Sequence, residues 1–189
     1  MLAIGFSAGG IPQARRVLKA LPEDYSLPVV IVAHLPAGEE SRLAELLAVS
    51  TRMPVSMAVD KQVIKRGRVY IAPPGYHLLV ERRDHSEAAF ALSVDEPVRS
   101  VRPSIDVLFE SAAEVFEAGL IAMVLSGANS DGVDGMAYIK QLGGLAIVLD
   151  PSECEYNTMS EAVIRRVKVD YVANLDGIIG LLLSAHELT

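Results

Sequence analysis

Three polar residues each follow an apolar run, and their types suit one kind of chemistry. Ser7 lies in Gly5-Phe6-Ser7-Ala8-Gly9-Gly10 after Leu2-Ala3-Ile4. His34 follows Val29-Val30-Ile31-Val32-Ala33, and Asp131 closes the polar loop Ser126-Gly127-Ala128-Asn129-Ser130-Asp131. A serine hydroxyl is barely ionised at neutral pH, so it attacks a carbonyl only when a base takes its proton. Imidazole, with an ordinary pKa of about 6.5, is suited to that task. A carboxylate behind the ring fixes its tautomer and stabilises the imidazolium that forms. The run before Ser7 and the helical pattern after it give a strand, a glycine-flanked turn and a helix. That order matches the G-x-S-x-G nucleophile elbow.

Each residue also has a plainer reading. The Ser7 turn could bind a phosphate, as a nucleotide module would, although Ser7 stands where the dinucleotide pattern needs its second glycine. A histidine after a strand is often structural. Asp131 precedes a helix and could simply cap it. Asp134 and Asp150 also lie near strand ends, so spacing alone does not single out Asp131.

These residues need a frame to bring them together, and the pattern supplies one. After the turn, Ala14, Val17, Leu18 and Leu21 form a helical stripe from Pro12 to Leu21. Strand signals at 28–33 and 120–125 are β-branched or apolar throughout, as in parallel strands covered on both faces. A helix is expected over 39–48, and short strands over 55–59, 68–72, 77–83 and 88–94, the last two as an antiparallel hairpin. Ser104 or Pro103 opens a helix that stops at Gly119. Helices over 132–142, 158–167 and 175–185 then alternate with strands over 145–149 and 171–173. The expected fold is α/β: a doubly wound, mostly parallel sheet with helices on both faces and an antiparallel hairpin insertion. With 189 residues and neither linker nor repeat, residues 1–189 read as a single domain. Ligand and catalytic groups of such sheets gather at the carboxyl ends of the strands, where Ser7, His34 and Asp131 are placed.

Composition narrows the function classes. A chain 51% hydrophobic and 22% charged is globular, and a net charge of −7 without a basic block argues against nucleic-acid binding. The single Cys154 allows no internal disulfide and no cysteine-rich metal site. No segment resembles a signal peptide, and the apolar runs fall well short of the ~20 residues of a membrane span. A cytoplasmic location without direct membrane insertion is expected.

Several motifs together resemble one family. Ile4-Gly5-Phe6-Ser7-Ala8-Gly9-Gly10, Ala33-His34-Leu35-Pro36-Ala37-Gly38, Arg68-Val69-Tyr70-Ile71-Ala72-Pro73, Arg102-Pro103-Ser104-Ile105-Asp106-Val107-Leu108-Phe109 and Ser126–Gly132 come in the order seen in the chemotaxis methylesterase CheB. Ser152-Glu153-Cys154, Met159 and Glu161-Ala162 resemble its C-terminal part, so the resemblance spans essentially the whole chain. It implies hydrolysis of glutamate γ-methyl esters on cytoplasmic helices of chemoreceptors and, in some members, glutamine deamidation. It implies Ser7, His34 and Asp131 as the catalytic residues and the backbone N–H groups of Ala8 and Ala128 as the oxyanion hole. It implies no metal and no cofactor. Arg102 is a candidate for binding an acidic receptor helix, with a structural salt bridge as the competing reading.

The chain departs from the family pattern around these residues. Ala8 stands where the family usually has Thr, Ala33 where it has Gln, and Val101 where it has His. The T-G-M-G-x-D-G loop becomes Ser126-Gly127-Ala128-Asn129-Ser130-Asp131-Gly132, and Gly-Met-Pro becomes Thr158-Met159-Ser160. The alternative function is therefore a catalytically degenerate domain that binds receptors or another signalling partner. Family members often carry a receiver domain before this segment. Here Met1 directly precedes the first strand signal, so no receiver domain is expected in this chain, and regulation is expected from a partner in its place or from a larger parent protein of which this is a piece.

Overall fold

The computed structural model describes residues 1–34, 42–83 and 87–187. Seven strands form one sheet: β1 (Leu2–Phe6), β2 (Val29–Ala33), β3 (Val55–Met57), β4 (Val69–Ile71), β7 (Ile121–Val124), β8 (Leu145–Leu149) and β9 (Tyr171–Ala173). Their order across the sheet is β3-β4-β2-β1-β7-β8-β9, and every neighbouring pair is parallel. The hairpin β5 (His77–Arg83) and β6 (Glu87–Ser93) forms a separate antiparallel sheet. The expected doubly wound sheet with its hairpin insertion is thus what the chain adopts.

The strands are apolar on both faces because both faces are covered. Ala3, Val30, Val32, Tyr70, Ala122, Val124, Ala146 and Val148 pack in one core, joined by residues of the hairpin, α3 (Ile105–Phe116), α4 (Val133–Gln141) and α5 (Thr158–Arg166). Leu2, Ile4, Phe6, Ile31, Ile71, Met123, Ile147 and Leu149 pack in the other, with α1 (Ile11–Ala20), α2 (Leu43–Ala48) and α6 (Leu175–Glu187). Alternation along each strand sends successive side chains to opposite cores. Among the described residues, no helix is long and apolar enough to cross a membrane.

Two boundaries differ informatively from the expectation. The first strand continues through Gly5 and Phe6 instead of turning at Gly5. A Cβ on Gly5 would lie 2.6 Å from Ile105 Cγ2, so this glycine permits close packing of α3 on the sheet. The tight turn belongs to Gly9, whose φ is +77°, and no positive φ falls on Ser7. Helix α3 stops at Phe116, before Gly119, because Glu117 takes φ 47° and starts a 3₁₀ turn. Residues 35–41, which carry the expected loop after His34 and the start of the second helix, lie outside the described residues; that helix is described from Leu43.

Chain order reverses about β1. From β1 the chain passes to β2, on to the edge strand β3 and back to β4 between them, then crosses to β7 on the other flank and builds outward through β8 and β9. The carboxyl ends of β1 and β7 therefore border the crevice of a topological switch point.

Candidate active site

Register places the serine and the histidine. Phe6 is opposite Ala33 in the β1–β2 pair, and the His34 N–H donates to the Phe6 carbonyl at 3.0 Å. Ser7 and His34 are thus the next residues on neighbouring strands, which run about 4.8 Å apart. On the other flank, the Ser7 N–H donates to the Ser126 carbonyl at 2.9 Å, and Ser126 Oγ donates to the Ala8 carbonyl at 2.8 Å. The Ser7 turn and the loop after β7 are tied together by these bonds. The N-terminus of α1 follows immediately, with Gly10 as its N-cap, so its positive dipole end lies beside Ser7.

Asp131 is held by a different helix from the one it precedes. The cap of α4 is Gly132, and no described side chain caps that helix. Asp131 instead receives the start of α3: Oδ2 accepts from Ile105 N at 2.5 Å, and Oδ1 from Asp106 N at 3.2 Å and Ser104 Oγ at 2.8 Å. A helix N-terminus presents unpaired N–H groups and a partial positive charge, which favours a fixed carboxylate. Beyond these donors, Oδ2 lies 2.9 Å from His34 Nε2, and the two side chains are 0% and 9% exposed. The pair is in ion-pair range, but Nε2 meets no acceptor in line with its N–H. Burial by itself raises the Asp131 pKa. The contacts with His34, Ile105 N and Ser104 outweigh it and hold the carboxyl below its ordinary value.

The other carboxylates are occupied elsewhere. Asp134 pairs with Arg99 and, at 2.7 Å, with Arg166. Asp150 caps the 3₁₀ turn Pro151–Glu153 through Ser152 N at 2.8 Å. Asp106, next to Asp131, accepts from Gly135 N at 2.8 Å, and Arg99 Nε stands 3.3 Å from its Oδ2. Burial pushes Asp106 up to about 7, aided by the neighbouring Asp131 charge and opposed by the Gly135 and Arg99 bonds.

Ser7 is half-buried, and its hydroxyl makes no hydrogen bond among the described residues. The N–H groups of Ala8 and Ala128 likewise donate to no described group. Arg102 makes no salt bridge among the described residues; its Nη1 donates to the carbonyls of Val94 at 2.8 Å and Asp95 at 2.9 Å, tying the segment after the hairpin to α3. Among the described residues, no three His, Cys, Asp or Glu side chains converge as metal ligands.

Three residues beyond the sequence candidates enter the site. Ser104 was legible as a helix starter, and its hydroxyl serves the carboxylate as well as the cap, accepting from Val107 N at 3.4 Å. His77, expected in the hairpin away from the strand-end crevice, opens β5 but reaches α3: its Nδ1 accepts from Ser104 N at 3.2 Å, and its Nε2 donates to the Glu96 carbonyl at 3.1 Å. Asn129 Nδ2 lies 3.1 Å from His34 Nδ1, and its Oδ1 accepts from Asp131 N at 3.2 Å. Its presence where the family pattern has glycine was the one available signal.

Fold and site thus define a doubly wound α/β protein with a polar cluster at its switch-point crevice. The CheB methylesterase family model matches residues 2–182, and the chain belongs to that family. A protein of Leptospira interrogans named "Putative protein-glutamate methylesterase/protein-glutamine glutaminase" is 43% identical over 98% of this chain and 94% of its own length. A protein-glutamate methylesterase/protein-glutamine glutaminase of Clostridium acetobutylicum is 33% identical over 94% of this chain, which spans 50% of that relative. The crystal structure of the Thermotoga maritima CheB methylesterase catalytic domain superposes with a TM-score of 0.93 at 32% identity, covering 97% of each chain.

Proposed function

We propose that this protein hydrolyses glutamate γ-methyl esters on chemoreceptor helices, with Ser7 as nucleophile, His34 as base and Asp131 as the carboxylate behind the ring. The observation that carries the reading is the Asp131 carboxylate, buried and held by the start of α3 against His34, which is next in register to Ser7. A merely structural aspartate would have no need of a histidine at that strand end.

With Nε2 toward Asp131, Nδ1 is the ring atom left to accept the serine proton. As it does so, Ser7 Oγ attacks the ester carbonyl, and the Ala8 and Ala128 N–H groups receive the oxyanion. The C–O bond to methoxide breaks as His34 returns the proton, releasing methanol. Water then gives a proton to His34 and attacks the acyl-enzyme. Cleavage of the acyl bond frees the glutamate carboxylate, and Ser7 regains its proton. A glutamine side chain would follow the same route with ammonia leaving, which is the deamidation we assign as a secondary activity. In this reading the domain works in the cytoplasm, and Arg102 shapes the receptor-facing rim through the 94–95 segment.

The test is methanol release from a methylated receptor fragment. Ser7→Ala should lower kcat by about 10⁴–10⁶-fold, the range known for nucleophile serines. Activity near wild type in that variant overturns the assignment.

A further inference from the structure

The ring of His34 has two nitrogens, and each faces a polar neighbour. Nε2 lies 2.9 Å from Asp131 Oδ2, and Nδ1 lies 3.1 Å from Asn129 Nδ2. The orientation of the Asn129 amide is set by the chain itself, since its Oδ1 accepts the Asp131 N–H two residues on, as in an Asx turn. The amide nitrogen must then face the ring, and an amide nitrogen only donates. Nδ1 is therefore the bare nitrogen, and the ring proton sits on Nε2 toward Asp131. An unprotonated ring nitrogen has a single lone pair in the ring plane. While Asn129 holds it, the Ser7 hydroxyl has no base to bond, and it makes no hydrogen bond among the described residues.

We propose that Asn129 is a positioning residue that fixes His34 in its Nε2–H tautomer and masks Nδ1 in the resting protein, so that Ser7 is activated only when the amide is displaced. This rests on the assignment of His34 as the base. The same bond has two consequences. It selects the tautomer that leaves the lone pair on Nδ1, and it withholds that lone pair at a cost of about one hydrogen bond. A substrate carbonyl or a receptor main-chain carbonyl entering the crevice is an acceptor that the released amide could bond, which would couple substrate entry to unmasking.

Two variants separate this from a role in shaping the loop. Asn129→Ala removes both the amide nitrogen and the Asx-turn acceptor. Asn129→Asp keeps the acceptor for Asp131 N but puts an oxygen opposite Nδ1, which draws a proton onto that atom and leaves it no lone pair for serine. The readouts are the rate of covalent labelling by a small fluorophosphonate and the ¹⁵N spectrum of the imidazole ring, with melting temperature recorded for each variant. The expected result is labelling about tenfold faster in Asn129→Ala and slower than wild type in Asn129→Asp. The wild-type ring spectrum should show a proton on Nε2 alone, and the Asn129→Ala spectrum a mixture of tautomers. A purely structural Asn129 would instead slow Asn129→Ala and spare Asn129→Asp, and that order overturns the proposal. Equal labelling rates in the three proteins, or a wild-type ring protonated on Nδ1, also overturn it. Absence of labelling in all three overturns the serine-esterase reading; the ring spectra then decide whether Asn129 holds Nδ1, because they do not depend on activity.

Discussion

The two loops that border the crevice are built in opposite ways. The turn after β1 is a backbone device: Gly9 supplies the positive φ, and the Ser7 N–H and Ala8 carbonyl are tied to Ser126. The Ser7 hydroxyl takes no part in these bonds. The loop after β7 is a side-chain device, in which Ser126, Asn129 and Asp131 each make specific bonds to other elements. The Ser7 side chain can therefore be changed with little structural cost. Asp131, by contrast, is inseparable from the packing of α3. Function at the first loop and stability at the second are expected to respond independently.

Substitutions test that contrast. Ser7→Ala should give the largest loss of activity, about 10⁴–10⁶-fold, with an unchanged melting temperature. A fall of several degrees would show that the hydroxyl has a structural partner and would erase the contrast. If Asp131 acts behind His34 as proposed, Asp131→Asn should cost about 10⁴ in kcat, the effect known for a triad carboxylate, and should also unfold more easily. Its amide nitrogen would replace one oxygen and oppose either Ile105 N or the Ser104 and Asp106 donors, and an unsatisfied buried group costs about 1–3 kcal/mol. Calorimetry showing no destabilisation would mean that α3 does not depend on this carboxylate.

A smaller effect is expected from Gly5→Ala. The new Cβ would meet Ile105 at 2.6 Å, and overpacking of this kind typically costs about 1–3 kcal/mol. Because Ile105 N is a donor to Asp131, activity should fall together with stability. A denaturation midpoint equal to wild type would show that α3 shifts freely.

The smallest effect concerns pH. Asp106 has its folded pKa raised to about 7 by burial, above the ordinary 3.8. Between these values the folded protein binds a proton that the unfolded chain does not. Its contribution is thus fullest near the lower value and is lost as pH rises to about 7. Asp131 has the opposite sign: its depressed pKa contributes stability above the ordinary carboxylate range, lost as the solution is made more acid. Melting temperatures measured from pH 5 to 8 should fall less steeply in Asp106→Asn than in wild type. Parallel curves would contradict the assignment of this proton to Asp106.

How far the sequence could be read follows the same division. Strands β1, β2 and β7 were legible because a short, continuous apolar run between turn signals fits a strand buried on both faces. Register then dictates that Ser7 adjoins His34. The Gly9 turn was legible from its glycines. Gly5 was misplaced in the turn because close packing and chain reversal call for the same residue. The roles of Ser104, His77 and Asn129 were hidden for a different reason. Hydrogen bonds between segments such as Ser104 and Asp131, or His34 and Asn129, depend on distances across the fold that no local periodicity encodes. Asp131 showed both limits: it was recognisable as a cap, but the helix it caps begins at Ile105, earlier in the chain.

The central claim is that Ser7 is a nucleophile activated through His34. It is tested most directly by exposing the full chain to a fluorophosphonate and locating the adduct by peptide mass mapping. One adduct is expected, on Ser7, and it forms far more slowly in His34→Gln. An adduct on another serine, none at all, or one on Ser7 that forms equally fast in His34→Gln would contradict it.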